Sequence, residues 1–196
     1  TSPDGSGPSL TLKQPASAPD HNVPENWRAS YITKGSPGTV DNAVVIQLAD
    51  LNHTYDGNAK SASHTTTPPG VAVSLTYNGS STSPADGGSY TVLATSADPL
   101  FEGAASATMT IAPKSQTISF SPPSQVPCDG NPVTLSATSS SGLPVSLSLL
   151  SGPATLSGNT LTPSASGTVT VRASQPGNGN YLPASLVQAD ITVTAD

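Results

Sequence analysis

Few residues in this 196-residue chain could do chemistry, and their spacing limits what that chemistry could be. Metal ligands recur at close intervals or converge from neighbouring strands. His21, His53 and His64 are irregularly spaced and read as surface or loop histidines. A hydrolytic triad needs a serine on a strained turn leading into a helix, with a base and an orienting acid. Gly5-Ser6-Gly7 reads instead as a flexible turn. Glycoside hydrolysis would need two carboxylates facing one cleft, and the two glutamates, Glu25 and Glu102, lie far apart in the chain. Asp41, Asp50 and Asp56 could gather around a calcium ion, but calcium takes roughly 6–8 oxygens and their spacing matches no known loop. Asp41 and Asp56 read as turn residues. No catalytic set, metal or cofactor is expected.

Binding chemistry has a little more material. Sugar-binding sandwiches use exposed aromatic platforms, and aromatics are 4% of this chain. Trp27 and Tyr31 stand close together and are the candidate glycan contacts; Tyr55 and Tyr77 lie near turns. The competing reading has Trp27 filling a core and Tyr90 facing inward on its strand, since a lone tryptophan usually buries most of its area. Asn52-His53-Thr54 and Asn78-Gly79-Ser80 fit the acceptor pattern for N-glycosylation. Ser61 to Thr67 and Ser80 to Ser83 could carry O-linked sugars. Cys128, the single cysteine, has no partner for an internal disulfide. It stands beside Pro127 and Asp129-Gly130 in a turn, as a cross-link to another chain or as a buried thiol.

Charged residues are only 9% of the chain, against roughly 25% in an average globular protein. The net charge is −6, and the six basic residues are scattered: Lys13, Arg28, Lys34, Lys60, Lys114 and Arg172. No basic stripe is present, so nucleic acid is not an expected partner. No apolar run reaches the roughly 18 residues of a membrane helix. The chain starts in polar sequence with no signal peptide, as a mature or excised piece would. A hydroxyl-rich, charge-poor surface points to the outside of a cell.

The elements are legible from alternation. Period-2 patterning marks half-buried strands, and it runs through Val71–Tyr77, Tyr90–Ala94, Ala107–Ile111, Val133–Ala137, Val145–Leu149, Val169–Ala173 and Ile191–Val193. Turn signals separate these runs: Asp56-Gly57, Pro68-Pro69-Gly70, Asn78-Gly79, Asp86-Gly87-Gly88, Asp129-Gly130, Ser141-Gly142 and Gly177-Asn178-Gly179-Asn180. Short strands with turns roughly every 8–12 residues are the sequence signature of a sandwich. Helix formers are scarce and no helix is expected. The expected fold is all-β: tandem immunoglobulin-like β-sandwiches with an extended, irregular N-terminal segment. The divisions are 1–42, 43–114 and 115–196, with a short Pro-containing join at Ile111 to Gln116 that favours a semi-rigid connection.

Specific residues carry family resemblances. Tyr55-Asp56-Gly57-Asn58-Ala59-Lys60, Thr65 to Gly70, Val73-Ser74-Leu75-Thr76-Tyr77-Asn78-Gly79-Ser80 and Gly88 to Val92 follow an order that resembles the bacterial MBG-type repeat module of long secreted and surface proteins. The second half is similar to the bacterial Ig-like repeat. Gln116 to Phe120, Leu135 to Thr138, Ser141 to Val145, Ser151 to Ala154, Gly158 to Leu161, Gly167 to Gln175 and Asn180-Tyr181 carry that likeness. The family usually has an aromatic residue where Cys128 stands. Asp4 to Leu12, Asn26 to Ser30 and Gly35 to Gly38 resemble the last stretch of a lamin-tail-type sandwich domain, whose earlier strands are missing.

These resemblances imply display, spacing or adhesion, and no active site. The first expectation is a non-catalytic extracellular stalk module, with other domains of a larger protein as its partners. The second is a self-assembling subunit: an incomplete sandwich end leaves sticky strands, and Leu10 and Leu12 could add to the sheet of another copy. The third is an adhesin or carbohydrate-binding module contacting glycans.

Overall fold

The computed structural model describes residues 8–12, 27–33 and 42–195, the first two stretches as backbone only. Every regular element among them is a strand. In the N-terminal segment, read above as irregular, β1 (Pro8–Leu12) and β2 (Trp27–Thr33) pair antiparallel. Their register sets Leu10 opposite Ala29 and Leu12 opposite Trp27.

The chain divides into two compact units. The first comprises Thr1–His53, Ala59–Ala85 and Ser89–Thr110. The second comprises Thr54–Asn58, Asp86–Gly88 and Ile111–Asp196.

In the first unit, β3 (Val45–Ala49) pairs with β5 (Ser63–Thr67). A second sheet runs in the order β4 (Asn52–Thr54), β8 (Ala104–Ala112), β7 (Gly88–Ser96), β6 (Val73–Tyr77). The alternating residues fill the space enclosed by these sheets. Val44, Ile46, Val71 and Ala94 form a buried cluster, with Val73, Leu75, Phe101 and Ala105 packed against it. Residues of the other parity point to solvent, as Leu93 does at 42% exposure.

The β6–β7 connection, residues 78–87, opens on a tight turn. Tyr77 and Ser80 exchange both backbone hydrogen bonds, at 2.7 and 3.0 Å. The two residues enclosed, Asn78 (φ 49°) and Gly79 (φ 84°), both take left-handed conformations. That is a type I′ turn, whose twist matches the flanking strands and which strongly favours Asn-Gly. The Asn78 side chain also accepts from the Thr91 amide at 2.8 Å, so this residue fixes the hairpin in two ways.

The second unit is a sandwich of two facing sheets. One has the order β10 (Gln125–Pro127), β17 (Val187–Thr194), β16 (Gly167–Ser174), β13 (Ser146–Ser151). Facing it, β11 (Val133–Thr134), β15 (Thr160–Pro163) and β14 (Ala154–Ser157) form one group, and β12 (Ala137–Ser139) pairs with β9 (Ile118–Phe120). Only Leu135-Ser136 separates β11 from β12, so these two are halves of one path across the sheet. In chain order the strands then follow the immunoglobulin arrangement, first, second, fifth and fourth against third, sixth and seventh. β10 is added at the edge, alongside the last strand. Leu135, Leu161, Val169, Val171 and Ile191, each at most 1% exposed, make the centre of the core. Burying a side chain of this kind contributes about 1.5–3 kcal/mol.

Candidate functional site

The residues singled out from sequence are dispersed. β1 carries Leu10 and Leu12, and β2 carries Trp27 and Tyr31; their side chains lie outside the described residues. So do His21, Glu25 and Asp41. Asn52 opens β4 and is exposed. His53 follows it, half-buried, and its Nε2 has no hydrogen-bond partner. His64 is exposed on β5, beside a shallow depression lined by Thr65, Thr66, Pro69, Gly70 and Val71. Asp50 takes a left-handed conformation (φ 54°). Asp56 Oδ1 accepts from the Asn58 amide at 2.9 Å, the turn role its type suggests. Among the described residues, no group of three or more His, Cys, Asp and Glu stands close enough to hold a metal.

Tyr77, Tyr55 and Tyr181 serve packing. Tyr77 is 4% exposed, and its hydroxyl accepts from the Ala62 amide at 3.1 Å. Within the second unit, Tyr55 meets Tyr181 edge to face, with ring centroids 5.3 Å apart and planes at 75°. That geometry sets the positive edge of one ring against the negative face of the other. Beside it, Asn180 Oδ1 accepts from the Gly87 amide at 2.6 Å, and Asn180 Nδ2 donates to Asp86 Oδ1 at 3.0 Å.

Cys128 follows β10, half-buried against the second core. Its backbone N–H donates to the Thr194 carbonyl at 3.0 Å. The next residue, Asp129, accepts from the Asn131 amide at 2.9 Å and from Asn131 Nδ2 at 2.8 Å. These donors, the backbone one foremost, lower the carboxyl below its ordinary range.

The most constrained polar cluster was not singled out from sequence. Gln116 and Gln175 are 7% and 5% exposed. Gln116 Nε2 donates to Gln175 Oε1 at 2.9 Å and to the Leu182 carbonyl at 2.8 Å. Gln116 Oε1 accepts from the Ser141 hydroxyl at 2.5 Å. Gln175 Oε1 also accepts from the Gly177 amide, and its Nε2 donates to the Pro144 carbonyl at 3.3 Å. Two amides thus tie three segments together: the incoming chain before β9, the loop after β12 and the loop after β16. Buried amides must be satisfied or they cost heavily; here nearly every donor and acceptor is used. A signal for them existed. Gln175 continues the inward parity of Val169, Val171 and Ala173, and Gln116 that of Ile118 and Phe120.

The second arrangement of note is at the edge of the four-stranded sheet. β10 and β17 run parallel, with Gln125 opposite Thr192, Val126 opposite Val193 and Pro127 opposite Thr194. Thr192 N donates to the Ser124 carbonyl at 2.9 Å, and Cys128 N closes the other end. Upstream, Lys114 N donates to the Asn180 carbonyl and Leu182 N to the Lys114 carbonyl, both at 2.9 Å, in a second parallel bridge. The chain is therefore stitched in parallel to late segments of the same unit at two places.

Among solved structures, the tandem Ig repeats of Dlar are similar at 11% identity and a TM-score of 0.27, over 78% of this chain and 97% of that one. That likeness is too slight to bear on fold or function, and the immunoglobulin arrangement rests on the strand order above. No curated protein matches the chain. Residues 44–115 match the family model described as MBG domain.

Proposed function

We propose that the chain is a non-catalytic structural module of an extracellular, multidomain surface or secreted protein, and that it carries tension. The parallel pairing of β10 with the last strand, β17, is the observation that carries this reading. Pulling the incoming chain one way and residue Thr194 the other slides these strands past each other. The load then falls across the Thr192–Ser124 and Cys128–Thr194 bonds together. An antiparallel end pair would open one bond at a time. The parallel bridge at Lys114 and Tyr181 loads in the same sense, and the Gln116–Gln175 pair backs it from inside.

The family match at 44–115 supports a structural or repeat role. The low charge and abundant Ser and Thr support an exterior setting, and the natural partners are neighbouring domains of the same protein. Single-molecule pulling of the full chain by its two ends tests the reading. The second unit should unfold in one discrete, high-force event. A plateau at low force, with strands peeling one after another, would refute it.

A further inference from the structure

Two tripeptides fit the acceptor pattern for an N-linked sugar, Asn52-His53-Thr54 and Asn78-Gly79-Ser80, and the fold treats them differently. We infer that Asn52 is a site for covalent attachment of a sugar, and that folding closes Asn78 to the same reaction. Asn52-His53-Thr54 is the whole of β4. Strand alternation sends Asn52 and Thr54 to one side, both exposed, and the half-buried His53 to the other. β4 ends the order β4-β8-β7-β6, so among the described residues its far edge has no strand partner. The Leu51 carbonyl accepts from the Thr110 amide at 2.8 Å, and the Tyr55 amide donates to the Ala112 carbonyl at 2.9 Å. Leu51 and Tyr55 thus turn backbone groups to β8, and Asn52 and Thr54, at alternate positions, turn theirs to the open edge. Among the described residues, neither the Asn52 carboxamide nor the Thr54 hydroxyl is engaged in a hydrogen bond.

Exposure does not separate the two asparagines, since Asn78 and Ser80 are exposed as well. Engagement does. Asn78 Oδ1 accepts from the Thr91 amide at 2.8 Å, and the Asn78 amide donates to the Thr91 carbonyl at 2.9 Å. Ser80 Oγ accepts from the Thr82 amide at 3.1 Å. The Tyr77–Ser80 pair closes the backbone around Asn78-Gly79. A transferase that takes an extended Asn-x-Ser/Thr peptide must first open this turn. β4 presents the same groups already extended along a free edge, where a peptide-reading groove can add its own strand. The donor is a sugar activated by a diphosphate at its anomeric carbon. Asn52 Nδ2 bonds to that carbon as the carbon's bond to the diphosphate oxygen breaks. The diphosphate leaves with the electron pair, and Nδ2 gives one proton to a base of the transferase. The bulky, solubilising product then stands beside the unpaired edge of β4 and blocks unwanted strand addition there.

The test uses the folded full chain, UDP-glucose and a soluble transferase specific for Asn-x-Ser/Thr that has first been shown to modify a peptide of residues 48–58. Peptide mapping by mass spectrometry reads the occupancy of each asparagine. One hexose on Asn52 is expected, and Thr54→Ala should abolish it. Asn78 is reached only through local opening, and breaking the bonds of its turn should slow its modification by about a hundredfold. Ser80→Thr gives Asn78 the same hydroxyl residue that Asn52 has and should leave that gap in place. This variant separates the effect of the fold from a preference of the transferase for threonine. An unmodified Asn52 in the folded chain would overturn the proposal. So would an Asn78 modified as fast as Asn52 in the Ser80→Thr chain. The tension-bearing reading and its pulling experiment do not enter this result, so each fails alone.

Discussion

Replacing Gln116 with leucine keeps most of the side-chain volume and removes both ends of its amide. In the folded protein this leaves the Leu182 carbonyl without its 2.8 Å donor. Gln175 Oε1 keeps the Gly177 amide and loses only one of two donors. The Ser141 hydroxyl can turn toward Ser139 Oγ, 3.0 Å away, so its loss is partial. One orphaned, part-buried acceptor costs about 1–3 kcal/mol, and weakened bonds to the others add roughly 1 kcal/mol. The expected destabilisation is about 2–4 kcal/mol for the second unit. Adding Gln175→Leu should cost less than the two single changes summed, because each single change strands the other's partner groups. Urea unfolding followed through the amide signals of Gly177 and Ala184 reads this unit directly. A change under about 0.5 kcal/mol for Gln116→Leu, or strict additivity of the pair, would refute the claim that these amides act as one buried knot.

The other predictions reach the second core, the β6 turn and the acid range. Gly79→Ala places a β-carbon at φ 84° and should cost about 1–2 kcal/mol by urea unfolding of the first unit, with Asn78→Leu also weakening the hairpin. Ile191→Ala, at a fully buried position, should cost about 2–5 kcal/mol in the same assay on the second unit. The Asp129 carboxyl is lowered by its Asn131 donors. Its contribution to stability is therefore present above the unfolded-state value and is lost as pH falls through the lower folded value. Carbon-detected titration should find Asp129 protonating below the ordinary aspartate range, and Asn131→Ala should move it part of the way back, since the backbone donor remains.

Much of the sandwich could be read from alternation because side-chain parity in a strand is fixed by geometry. Val92, Ala94, Met109, Val169, Val171, Ala173, Ile191 and Val193 all point inward as their spacing requires. The Asn78-Gly79 turn was equally legible, since only a few residues tolerate two successive left-handed conformations. What escaped were contacts that depend on topology. Gln125-Val126-Pro127 has no alternation to display and contains a proline, so its parallel pairing with β17 leaves no local trace. Gln116 and Gln175 have legible parity, but 59 residues separate them. Their meeting follows from how β9 and β16 are placed in the two sheets. Tyr77 lies beside a turn, yet its ring is buried because its strand position is inward, whatever the turn does. Arg172 falls at an outward position; only the register identifies Ser148 and Asp190 as its neighbours.

The most direct test of the tension-bearing role compares the full chain with Cys128→Pro under end-to-end pulling. Proline removes the N–H that bonds Thr194 and exchanges the half-buried Cys128 side chain, packed on the second core, for a ring of similar bulk. One lost hydrogen bond costs about 1 kcal/mol at equilibrium, a modest change in a urea melt. The unfolding force of the second unit should nonetheless drop sharply, because that bond is part of the short parallel ladder that bears the load. An unfolding force unchanged beside a shifted urea midpoint would contradict the account.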